Sequence, residues 1–73
     1  MKYNARLVNE AESLSILHPD KTLSKLIVDY RVSYELYNKS QTSKYKSRLL
    51  IAEYALRGKV FSMCLRYLPE SFF

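Results

Sequence analysis

Imidazole and thiol, the side chains that most often serve as catalytic base, nucleophile or zinc ligand, occur once each in this sequence, as His18 and Cys64. Nucleophilic catalysis needs a base beside the nucleophile and a third group that orients the base, and a structural zinc needs four ligands. One His and one Cys supply neither set. Cys64 falls in the apolar run from Val60 to Leu65, where a thiol is inert packing. There is no glycine-rich phosphate loop and no paired ligand spacing. These residues lead us to expect a protein without a catalytic site, cofactor or metal, whose function is binding.

The other chemistry is charge. Twelve Lys and Arg stand against seven Asp and Glu, a net charge of +5. Residues 1–38 hold five of each sign, so the excess lies in residues 39–73, with seven basic and two acidic. Lys44, Arg48, Lys59 and Arg66 fall within about 60° of one another on a continuous helix, with Ala52, Ala55 and Ser62 in the gaps. Such a ridge could meet phosphates or an acidic protein, or could be a solvated face. A helix-turn-helix needs a short first helix and a tight turn before its recognition helix, and the long segment from Leu23 to Tyr37 does not provide them. The seven tyrosines sit mostly in apolar rows, which favours packing over base stacking.

Residues 18–20, His18-Pro19-Asp20, resemble the tripeptide loop of J-domain co-chaperones, which stimulates a partner ATPase. In that family a basic helix precedes the loop and another helix comes before it. Here the preceding helix is acidic, with Glu10 and Glu12 against Arg6, and only seventeen residues are available before the tripeptide. The three residues read as helix punctuation, because Pro disfavours a helical conformation in the residue before it and Asp20 or Thr22 can cap the next helix.

Three amphipathic helices must position these groups. With one Gly and two Pro among 73 residues, long uninterrupted elements are favoured. Asn4 can cap a first helix, about 5–17, whose apolar residues Leu7, Val8, Ala11 and Leu14 share a face. In a second, about 21–37, the residues Leu23, Leu26, Ile27, Tyr30, Tyr34 and Tyr37 form a stripe about 100° wide. The same stretch alternates from Val28 to Leu36 like a strand, but no convincing second strand exists to pair with it, and an isolated strand is unstable. As a helix it carries a second apolar row, Val28, Val32 and Leu36.

After the polar run 38–43, Thr42 or Ser43 can cap a third helix, about 43–68, with two rows of its own. One is Leu50, Tyr54, Phe61, Leu65 and Leu68, and the other is Leu49, Leu56, Val60, Met63 and Tyr67. Gly58 interrupts it, either as a C-cap splitting the segment or as a point of close approach for a packed helix. Pro69 ends it, leaving a tail, 69–73, that closes on Phe72-Phe73.

The expected fold is therefore all-α, a single domain over 1–73. A short N-terminal helix precedes an antiparallel two-helix hairpin of coiled-coil type, because the loop between the two long helices is short. One row on each long helix closes the hairpin. The remaining rows exceed what a helix of three or four turns can cover, and uncovered apolar surface of that extent marks a protein interface. The residues expected to face a partner are Val28, Val32 and Leu36, with Leu56, Val60, Met63 and Tyr67. Self-association through these rows is expected when the partner is absent. A domain this short buries about 60% of its unfolded surface, and without a disulfide or metal an associating partner is the remaining stabiliser. The N-terminus lacks the basic start and apolar run of a secretory signal, and with the lone thiol it suggests a cytoplasmic protein.

With the hairpin drawn, the sequence resembles the YscE family (YscE, SsaE, EscE), small cytoplasmic co-chaperones of bacterial type III secretion needle subunits. The resemblance lies in a short acidic helix ending near Leu17-His18, then Leu26-Ile27-Val28 with Arg31. After a polar loop it continues with Tyr45, Leu49-Leu50-Ile51, Glu53 and the series Val60, Phe61, Cys64, Leu65 and Tyr67. It covers most of the chain as pattern and spacing, without a signature motif. The basic second half, the tyrosines and Phe72-Phe73 depart from it. It implies a hairpin that binds a tetratricopeptide-repeat chaperone, the pair holding the needle subunit as a soluble monomer until export. A contrasting expectation from the charge is a small basic regulator that binds nucleic acid or RNA polymerase; steep weakening with salt would mark it.

Overall fold

Three polar side chains mark where the helices begin in a computed structural model, which describes residues 2–67. Asn4 accepts from the Leu7 amide at 3.1 Å and opens α1, Ala5–Leu17. Asp20 accepts from the Leu23 amide at 3.0 Å and opens α2, Lys21–Lys39. Thr42 accepts from the Tyr45 amide at 3.3 Å and opens α3, Ser43–Tyr67. Each oxygen satisfies one of the donors that a helix leaves free in its first turn. The described residues are all-helical, with no strand among them. The expected tail, with Phe72 and Phe73, lies outside the described residues.

The alternation from Val28 to Leu36 therefore belongs to a helix, and α2 runs on to Lys39, past the expected end at Tyr37. The α1–α2 junction is as short as Pro19 demands: the His18 amide closes α1 on the Leu14 carbonyl at 2.7 Å and Asp20 opens the next helix. No helix among the described residues is long and apolar enough to cross a membrane.

The core is shared by all three helices. Leu7, Val8 and Ala11 from α1 meet Leu23, Ile27 and Tyr30 from α2 and Leu49, Ala52, Leu56, Val60 and Met63 from α3. α3 packs more extensively on α2 than on α1. Polar bonds fix the angle at which α1 enters. The Asn4 amide donates to the Tyr30 hydroxyl at 2.8 Å, and Asn4 Nδ2 donates to Glu53 Oε1 at 3.2 Å. One residue thus ties the start of α1 to α2 and α3. The Tyr3 ring stacks on Tyr30 at 5.5 Å and meets Tyr34 edge-on at 4.9 Å. Further along, Glu12 of α1 pairs with Arg31 of α2, and Asp20 pairs with Lys59 of α3 at 3.2 Å.

Candidate partner-binding surface

The core faces of α1 and α2 fall where their apolar spacing puts them. On α3 the choice of row differs from the sequence expectation. Leu56, Val60 and Met63, expected to face a partner, are buried in the core. The physical reason is that α3 contacts both other helices, so its widest apolar stripe, Leu49-Ala52-Leu56-Val60-Met63, faces inward to serve two neighbours. Tyr67 is 43% exposed, and its ring stacks on His18 at a centroid distance of 3.9 Å. Val28 and Val32 stand on the outside of α2, 56% and 42% exposed, while Leu36 beside them is half-buried.

The row that closes the expected hairpin on α3 instead points outward. Tyr54, Phe61 and Leu65 are exposed, as is Ile51 on the same side, and Leu50 is half-buried. The sequence carried one signal for this. That row is broken by Gly58, whereas the buried row has a small residue, Ala52, where two helices must approach and no gap elsewhere. Ile16 and Leu17, at the end of α1, are exposed as well.

The charged ridge is also rearranged. Lys44, Arg48 and Arg66 are exposed, but Lys59 turns to the Asp20 carboxylate and Ala52 is buried. Asp20 is held below its ordinary pKa, first by the hydrogen bond from the Leu23 amide and then by Lys59. His18-Pro19-Asp20 is thus occupied within the fold, its histidine on Tyr67 and its aspartate on a helix end and a lysine.

No cluster of metal-ligating side chains occurs among the described residues. Cys64 is half-buried at a shallow depression shared with Asn9, Glu10, Ser13 and Leu14, and His18 lies on the Tyr67 ring. A second depression, about 340 Å³, runs between α2 and α3 and is lined by Leu26, Asp29, Ser33, Arg48, Ile51, Ala52 and Ala55. The surface can bury apolar side chains of another molecule and offer cations at the rim. No protein-family model matches the chain, and no curated protein or solved structure matches it at a significant level.

Proposed function

We propose that this chain is a non-enzymatic bacterial co-chaperone that binds a tetratricopeptide-repeat chaperone and helps to keep a type III secretion needle subunit monomeric in the cytoplasm. In this reading α2 and α3 form an antiparallel hairpin that lays an apolar face against the repeat protein. The observation that carries it is the uncovered apolar surface: Val28 and Val32 on α2, and Ile51, Tyr54, Phe61 and Leu65 on α3. Surface of this kind on a small domain without a disulfide or metal is stabilised by a partner that covers it. The partner-facing set is accordingly Val28, Val32 and Leu36 with the outer row of α3, replacing Leu56, Val60 and Met63.

Co-expression with a tetratricopeptide-repeat chaperone and a type III secretion needle subunit from the same genome, followed by gel filtration in moderate salt, tests the reading. One soluble complex containing all three chains is expected. If this chain elutes alone while both candidates are soluble and folded, the co-chaperone reading fails. Binding to nucleic acid that collapses between low and moderate salt would instead favour a basic regulator, for which exposed Lys44, Arg48 and Arg66 are the contacts.

A further inference from the structure

Gly58 lies in the middle of α3, where the helix is continuous from Ser43 to Tyr67 and the φ angle is not positive. No turn, cap or unusual backbone needs a glycine there. A Cβ built on it meets nothing within 4 Å, so no packing among the described residues needs one either. The continuous helix removes a C-cap as the reason for this glycine. The close approach remains, and nothing among the described residues makes it.

Gly58 is also at the centre of a regular seam. Ile51, Tyr54, Gly58, Phe61 and Leu65 recur at alternating intervals of three and four residues, the spacing that presents one narrow stripe to another helix. The four large side chains are 70%, 66%, 63% and 54% exposed. Ala55 and Ser62 flank Gly58, so a shallow valley of small residues runs beside the wall made by Tyr54 and Phe61.

The rim of this face is basic. Lys44, Arg48 and Arg66 are exposed on one side, and on the other the Arg57 guanidinium lies 6.0 Å from the Tyr54 ring centre. Glu53, the one acidic residue of α3, is turned to Asn4 and Arg57. Asp29 of α2 borders the face across the depression from Arg48. A second copy of α3 on this seam would set like charges against one another, which is unfavourable. A wide apolar wedge for a membrane surface would not have its centre emptied of side chain.

We infer that the outer face of α3 is a docking groove for an amphipathic helix of a partner protein whose apolar stripe is flanked by acidic residues, crossing α3 at Gly58. The inference rests on the reading that the outer rows take a protein partner, and it adds the chemistry of that partner and its crossing point. Its failure is separable from failure of that reading, because the α2 row can hold a repeat protein without it.

The probes are two designed helical peptides of identical apolar stripe, one with Glu and one with Lys at the flanking positions, titrated by fluorescence anisotropy onto the full chain. The Glu-flanked peptide is expected to bind at least about tenfold more tightly, with the difference shrinking at high salt. Gly58→Ala should raise the Tm of the free chain by about 5 °C, since it improves helix propensity in open space. The same change should weaken peptide binding about tenfold by overpacking the crossing point, and Gly58→Leu should weaken it further. These opposite signs separate the groove from a merely adhesive patch, on which added Leu would tighten binding. Equal affinity for the two peptides, or tighter binding by Gly58→Leu, overturns the inference. So does occupancy of this face by something else: a dimer of the free chain abolished by Phe61→Ser, or phosphatidylglycerol vesicles bound more tightly by Gly58→Leu than by wild type.

Discussion

Asn4 shows how much of the tertiary arrangement rests on single polar atoms. Its side-chain oxygen caps α1, its amide donates to Tyr30 and its side-chain nitrogen donates to Glu53. Asn4→Ala removes the cap and one cross-helix bond, at a cost of about 1–2 kcal/mol. A fall in Tm of about 5 °C or more, by circular dichroism, is the expected outcome. Tyr30→Phe is subtler, because the packed ring stays while the Asn4 amide loses its acceptor; about 1 kcal/mol is expected. Burial raises the Tyr30 pKa above 10.0, with the Asn4 amide acting in the opposite direction and Glu53 adding to the rise. A raised native pKa means that its contribution is present below about pH 10 and is lost as pH climbs through the native value. Urea unfolding across that alkaline range should show a shallower loss for Tyr30→Phe than for wild type. Asp20 has the opposite sign. Its pKa is lowered by the Leu23 amide and by Lys59, so its contribution is present above the ordinary value of 3.8 and falls as pH drops through the native value. Asp20→Asn keeps a capping oxygen but cannot ionise, and should flatten the acid limb of the stability curve.

At the scale of the helix, two of three core faces are legible in sequence. In α1 and α2 one stripe is plainly more apolar than the rest and begins at a capping side chain, so spacing and caps agree. The strand-like alternation in α2 is a by-product of its second row and has no strand to pair with. α3 is different, because its two rows are comparable and local pattern gives no preference. The choice is made by α1, which shares α3 with α2 and calls for the wider stripe, a tertiary fact that neighbouring residues in sequence do not carry. Asn4 as a junction, the Glu12–Arg31 pair and the Asp20–Lys59 pair are hidden for the same reason. The buried row of α3 and the outer row of α2 now have opposite mutational signatures. Val60→Asp or Met63→Asp buries a charge in the core and is expected to abolish cooperative folding, with helicity lost by circular dichroism. Val28→Asp with Val32→Asp changes exposed positions, so helicity should persist while the repeat-protein complex is lost. A complex that survives the paired substitution removes the α2 row from the interface.

Over the whole molecule, the two outer faces differ in what they can do with a second copy of the chain. The rim of α3 is almost entirely basic, which opposes self-pairing. The outer face of α2 carries Lys25, Asp29, Glu35 and Lys39 around Val28, Val32 and Leu36, charges of both signs that an antiparallel second α2 could complement. Self-association of the free chain, where it occurs, is therefore expected through α2 and only at high protein concentration, because three side chains make a small interface. Sedimentation over a concentration series should show a monomer–dimer equilibrium that Val32→Asp abolishes and Phe61→Ser leaves intact. A partner that covers the same α2 row must compete with this dimer, and because it binds the folded state it also stabilises it. At a hundredfold excess over its Kd that stabilisation is about 2.7 kcal/mol, or a rise in Tm of about 10 °C or more for a domain of this size. Thermal melts against increasing repeat protein should thus rise continuously without a plateau, while the dimer disappears from the sedimentation profile. A partner that raises the Tm and leaves the dimer in place binds elsewhere, and the basic face of α3 is then the surface it uses.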